Sequence, residues 1–167
     1  MLIQGKIIVE PDDITNKHRK QSEWKRMSII SFDDDLCDYY SWFIYKKYLL
    51  KLNKPIRGSH ISLINDSVKD IKFGLGIEND LIITEYWNKF KDECNDKIID
   101  VYLSNEIRSN GKHWWLELLP ESEEYFLYLR NGLGLGEPFY GFHLSVGRAN
   151  EHNSIVSEYC ARLLDEE

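Results

Sequence analysis

Two histidines stand in one frame, Gly58-Ser59-His60-Ile61-Ser62-Leu63 and Gly141-Phe142-His143-Leu144-Ser145-Val146, 83 residues apart in a chain with only five histidines. An imidazole whose unperturbed pKa is about 6.5 can accept or deliver a proton near neutrality, so two of them suit a reaction that needs an acid and a base. Each is followed two residues later by a serine, whose hydroxyl can donate a hydrogen bond. The 15 Ser and Thr residues lead one to expect fewer than one His-x-[Ser/Thr] match by chance, and the chain has three. The third, His152-Asn153-Ser154, has Asn at its centre and sits where a helix begins, so Asn153 or Ser154 reads as a helix cap. Either true frame alone is more often a surface or core histidine. Two frames with matching flanks favour function.

These residues need strands to position them. On a strand, alternate residues share a face, so His60 and Ser62 point one way and Ile61 and Leu63 the other, and the same holds for His143 and Ser145 against Leu144 and Val146. Gly58 and Gly141 fall on the polar face, where a missing side chain leaves room for a ligand. Around the two frames, "LIQGKIIVE" and "MSIISF" read as strands, and the polar "DDITNKHRKQSEWKR" between them as a surface loop or short helix. The run "DDDLCDYYSWFIYKKYLLKL" has acidic residues first, apolar spacing through Leu36, Tyr40, Phe43, Ile44 and Tyr48, and lysines last, which predicts a helix. "LIITEYWNKFKDEC" reads as a second helix, with its first residues open between strand and helix. Ser109-Asn110-Gly111 joins two strand-like runs into an antiparallel hairpin. A cap frame at Ser122, with Glu124 and Tyr125 nearby, opens a third helix, and "NSIVSEYCARLL" is the last. The predicted order is ββα β α ββ α β α.

Bulk properties narrow the function. With 167 residues, 43% of them hydrophobic and 22 aromatic, the chain can bury a sizeable core and reads as one domain, 1–167. A formal charge of −7 argues against duplex DNA as a partner, because such binders neutralise many phosphates with Lys and Arg. A short nucleotide is compatible. Cys37, Cys94 and Cys160 are widely spaced and odd in number, so neither a disulfide framework nor a zinc site is indicated, and a reducing compartment is expected. There is no basic–apolar leader pattern and no apolar run of about 20 residues, which predicts a cytoplasmic protein with no membrane partner. The abundance of Lys, Ile, Asn, Asp and Tyr points to an AT-rich coding genome, such as that of a phage or low-GC bacterium.

Two His-x-[Ser/Thr] strands some 80 residues apart resemble the signature of the 2H phosphoesterase superfamily, which includes RNA-end cyclic phosphodiesterases, 2′,5′-oligoadenylate-degrading proteins and phage proteins that destroy cyclic oligonucleotide signals. Arg148, five residues after His143, matches a tendency of that family, while Asn65 holds the equivalent place after His60. Both hydroxyl positions are Ser where the family more often has Thr. The resemblance implies an α+β fold of two pseudo-symmetric lobes, with two antiparallel sheets flanked by helices around a central cleft. It also implies a metal-independent phosphodiesterase without cofactor, acting on a cyclic di- or oligonucleotide or on a 2′,3′-cyclic phosphate RNA end. His60 and His143 would be acid and base in either order, and Ser62 and Ser145 would bind the non-bridging oxygens, where charge builds up.

Other polar residues add weaker signals. Lys54 and Arg57 before the first motif and Arg148 after the second supply positive charge, as solvated surface groups or as substrate ligands. Phe139, Tyr140, Trp114 and Trp115 can stack a base, although aromatics at strand spacing are more often core. His113 reads as structural, and His18 has no assigned role. The alternatives are a nucleotide- or RNA-binding module of the same fold without turnover, and an interaction protein whose two frames coincide by chance.

Overall fold

Every period-two run that alternates apolar and polar residues becomes a strand in the computed structural model, which describes residues 1–11, 27–65, 80–138 and 140–166. The strands are β1 (Leu2–Val9), β2 (Met27–Ser31), β3 (Leu52–Asn53), β4 (His60–Asn65), β5 (Ile98–Ser109), β6 (His113–Leu118) and β7 (His143–Ala149). Among the described residues the helices are α1 (Asp35–Tyr48), α2 (Asp80–Cys94), α3 (Pro120–Asn131) and α4 (Ser154–Asp165). The fold is α+β, and the order matches the predicted one with the short β3 added. The polar run expected to be a loop or short helix, together with His18, lies outside the described residues.

Pairing among the described strands is antiparallel throughout and runs β3-β7-β4-β2-β1-β5-β6, with β6 returning to β7. Six strands therefore close into a ring, and β3 lies beside β4 on one edge of β7. Hydrogen bonding thus makes one sheet, where the resemblance led to two. The physical reason lies in a belt of apolar partners that continues across the expected division: Ile7 opposes Ile30, Ile30 opposes Ile61, Ile61 opposes Leu144, and Leu144 opposes Leu116. All five are 0% exposed. Full burial of such a side chain contributes about 1.5–3 kcal/mol, so leaving β4 and β7 unpaired would open the core along the whole seam.

The ring has an internal order. Strands β1, β2 and β4 with α1 and α2 follow the same sequence of elements as β5, β6 and β7 with α3 and α4. Cross-strand contacts repeat as well: Ser31 pairs with His60 as Glu117 pairs with His143. The Phe32 amide donates to the Ser59 carbonyl (2.9 Å) and the Leu118 amide to the Phe142 carbonyl (3.4 Å).

Helix termini show where tertiary structure intervenes. In α1 the expected face is buried through Cys37, Tyr40 and Ile44, with Leu36, Phe43 and Tyr48 partly covered. At its N-terminus Asp33 Oδ1 accepts from the Asp35 amide (3.0 Å), and a distant residue adds a second acceptor: the Ser59 hydroxyl accepts from the Cys37 amide (3.1 Å), while Asp34 Oδ1 accepts from the Ser59 amide (3.1 Å). Helix α3 starts at Pro120, not at the predicted Ser122 cap. Proline suits the first helical position because it has no N–H to satisfy. Ser122 instead lies buried within the first turn, where its hydroxyl accepts from the Tyr102 amide (2.8 Å). Asn153 does precede α4, but its side chain makes no capping bond. The Asn110 carboxamide accepts from the Lys112 and His113 amides and closes the predicted β5–β6 hairpin.

Candidate functional site

Each motif histidine opens its strand, and a tight turn precedes it. The Gly58 amide donates to the Pro55 carbonyl and the Gly141 amide to the Pro138 carbonyl, both at 3.1 Å. Gly58 and Gly141 take φ of 67° and 70°, a left-handed conformation that disfavours residues with a Cβ. This turns their carbonyls back onto the imidazoles, so that His60 Nδ1 lies 2.9 Å from the Gly58 oxygen and His143 Nδ1 lies 3.2 Å from the Gly141 oxygen. A carbonyl only accepts, so Nδ1 carries the proton, and in the neutral ring Nε2 holds a free lone pair. The glycines thus serve backbone conformation, and at Gly141 the space a Cβ would take is open to 4 Å. The chain's repeat is accordingly longer than Gly-x-His-x-Ser: it is Pro-x-x-Gly-x-His-x-Ser, and the proline spacing marks the turn.

The residue before each histidine is its anchor. Ser59, 1% exposed, is held by the three backbone and side-chain bonds to Phe32, Asp34 and Cys37 already described. Phe142 is buried edge-on against Phe126 of α3, with ring centroids 5.4 Å apart at 89°. Cys37 also reaches the second motif, where its thiol donates to the Ser145 carbonyl (3.3 Å). One helix start therefore braces both strands. Burial raises the Cys37 thiol pKa, the chief effect, partly offset by its bond to Ser59.

The two strands meet at Ile61 and Leu144. Extending that antiparallel register by one residue each way sets His60 opposite Ser145 and Ser62 opposite His143, on the face away from the core. Directly opposite Cβ atoms lie about 4.5–5.5 Å apart and diagonal ones about 7–8 Å, so the two imidazoles form the diagonal of a His–Ser, Ser–His square. Alternation keeps Ile61, Leu63, Leu144 and Val146 fully buried behind them. Burial is the main cause lowering both histidine pKa values from 6.5, and the Gly58 and Gly141 carbonyls oppose it. At His60 the positive charges of Arg57 and His143 depress it further. Burial thus favours the neutral form of both rings.

The remaining sequence candidates fall around this square unequally. Arg57 and Tyr140 occupy the same position in the two turns, each just before the glycine, and Arg57 is half-buried while Tyr140 is 73% exposed. Phe139 and the side chain of Asn65 lie outside the described residues. Arg148 is exposed on β7, opposite Asn53 of β3 and His113 of β6. Trp114 is core, 0% exposed, with its indole N–H donating to the Ser157 hydroxyl (3.0 Å). Trp115 faces the other way, half-buried, with its ring 6.5 Å from His143 at 69°. His113 is exposed rather than structural, and with Asn53, Lys54, His60, Ser145 and Arg148 it borders a pocket of about 340 Å³. Lys54 is ion-paired with Asp38. Among the described residues no three His, Cys, Asp or Glu side chains group as metal ligands, and no described helix is long and apolar enough to cross a membrane. Comparison with protein-family models, curated proteins and solved structures returned no significant match.

Proposed function

We propose that this chain is a metal-independent phosphodiesterase of the 2H type that cleaves a small nucleotide by two-histidine acid–base catalysis. The supporting observation is the twin tether: both imidazoles have Nδ1 committed to a left-handed glycine carbonyl and Nε2 free on one side of a shared strand junction. A core histidine has no need of that arrangement twice. The bilobal form belongs to the same proposal, with β4-β2-β1 and β7-β6-β5 as the two halves and the β4–β7 seam as the cleft floor.

For a 3′,5′-linked substrate the nucleophile is the ribose 2′-hydroxyl, already held beside the phosphorus. One histidine takes its proton as the O2′–P bond forms. The P–O5′ bond then breaks, the second histidine protonates O5′, and the product ends in a 2′,3′-cyclic phosphate. Ser62 and Ser145 donate to the non-bridging oxygens as charge develops there. With a 2′,3′-cyclic phosphate end as substrate, water takes the place of the hydroxyl.

A panel of cyclic di- and oligonucleotides and RNA 2′,3′-cyclic phosphate ends, assayed in EDTA, tests the reading. Cleavage is expected without a divalent ion, and a 2′-deoxy or 2′-O-methyl analogue of a 3′,5′-linked substrate should bind but resist cleavage. Turnover that needs an added metal, or equal cleavage of the deoxy analogue, refutes this route. Tight binding of a panel member with no turnover would instead identify a nucleotide-binding module.

A further inference from the structure

Helix α1 carries six aromatic residues, and they divide between two faces. Tyr40, Phe43 and Tyr48 turn to the core, whereas Tyr39, Trp42 and Tyr45 stay 57%, 56% and 47% exposed. The outer face of an amphipathic surface helix is ordinarily polar or charged. Core packing therefore accounts for the first three and leaves the second three without a task in the single chain. The rings of Tyr39 and Trp42 already pack on each other, 6.4 Å apart at 32°.

The order of residues along this outer face is self-complementary. In Asp38-Tyr39-x-x-Trp42-x-x-Tyr45-Lys46 each residue has a counterpart at equal distance beyond Trp42: Tyr39 and Tyr45 at three residues, Asp38 and Lys46 at four. At 3.6 residues per turn, all of them lie within roughly 60° of Trp42 around the helix. Asp35 and Leu49, at seven residues, continue the same face. Positions 35, 38, 39, 42, 45, 46 and 49 thus repeat the spacing of helices that pack on one another. A two-fold axis through Trp42, relating two antiparallel copies of α1, sets Tyr39 against Tyr45 and Asp38 against Lys46, each twice. The helix dipole explains why acids come first and lysines last, but not the aromatic trio between them. Neither Asp35 nor Lys46 has an ionic partner among the described residues, and Asp38, paired with Lys54, keeps its side chain 44% exposed.

We propose that this face of α1 binds a second copy of the chain, giving an isologous dimer in which the two α1 helices cross antiparallel at Trp42. Two chains of formal charge −7 repel at long range, but salt at about 0.15 M screens charges more than about 8 Å apart. At contact the aromatics occupy the centre and charges of both signs the rim, which is the composition of protein interfaces. A parallel arrangement would set Asp38 against Asp38 and Lys46 against Lys46, so the same charges oppose it. The dimer is independent of the phosphodiesterase reading.

Sedimentation equilibrium of the full chain in physiological salt tests the proposal. The wild type should dimerise with a Kd of about 1–100 μM, as fits a small interface. Trp42→Ala should raise that Kd at least about thirtyfold while keeping the wild-type far-UV circular dichroism and urea midpoint. Asp38→Lys and Lys46→Glu should each self-associate about tenfold more weakly than the wild type. Their mixture should dimerise as the wild type does, because only the mixed pair sets opposite charges together at both ends. A wild type that stays monomeric to about 0.5 mM overturns the proposal and leaves this face to a different partner. A dimer of wild-type strength in Trp42→Ala also overturns it, since the contact then lies elsewhere. So does a mixture that associates no better than its components, because the antiparallel register is then wrong. Should Trp42→Ala fail to fold, the charge-swapped pair decides alone.

Discussion

Each motif imidazole has one nitrogen occupied and one free, and several measurements follow from that asymmetry. His60→Ala and His143→Ala should each lower kcat/KM by roughly 10²–10⁴-fold, the range for a positioned acid or base. The double variant should be little worse than either, because the two act as a unit. Ser62→Ala or Ser145→Ala should each cost up to about 2.7–4 kcal/mol of transition-state stabilisation, as for a lost oxyanion donor. Steady-state kinetics checks all five variants. Burial lowers both histidine pKa values, so the imidazolium needed as acid becomes scarce at a lower pH than for a free side chain. The alkaline limb of the kcat/KM profile should accordingly fall below about pH 6.5, at apparent values that belong to the pair. Stability follows the same sign. Between the folded pKa values and about 6.5 the unfolded chain binds more protons, so the contribution of the neutral rings is complete above that range and lost as pH falls through the folded values.

At the scale of elements, the two turns are equal in φ and unequal in surroundings. A Cβ at Gly141 would meet nothing within 4 Å, whereas one at Gly58 would lie 2.1 Å from Asp34 Oδ1. Gly141→Ala should therefore cost about 1–2 kcal/mol, the penalty of the left-handed backbone alone. Gly58→Ala should cost more, since it also pushes away the carboxylate that holds the Ser59 amide. Paired urea titrations give the comparison, and equal losses would contradict it. Ser59→Ala, which removes the acceptor of the Cys37 amide at the start of α1, should cost about 0.5–2 kcal/mol. The sequence makes the strand faces legible here because alternation is local. It hides the caps: Ser59 serves a helix whose Cys37 is 22 residues away, and Ser122 looks like a cap but serves the Tyr102 amide instead.

For the whole molecule, the seam between Ile61 and Leu144 both closes the ring and sets the histidines on their diagonal. Ile61→Ala or Leu144→Ala should each destabilise by about 2–5 kcal/mol. Because the residues touch across the seam, the double variant should depart from additivity by about 0.5–3 kcal/mol. A double-mutant cycle by chemical denaturation measures that coupling, and strict additivity would argue against a packed seam. Ile61→Val, a milder change of about 0.5–1.5 kcal/mol, should keep the fold while testing whether activity follows the seam.

The sequence by itself determined the α+β class, the order of the elements and the parity that turns His60, Ser62, His143 and Ser145 away from the core, since periodicity and turn chemistry act between near neighbours. Only the tertiary structure decided that the strands form one closed sheet, that His60 stands opposite Ser145, and that His113 and Arg148 share a pocket with the first motif. Those relations depend on which strands pair and in what register. The β6–β7 ladder even shifts between Trp114 and Trp115, so that Trp114 opposes Gly147 while Trp115 opposes Ser145. A shift of that kind follows from packing across the sheet, between residues whose separation along the chain carries no trace of it.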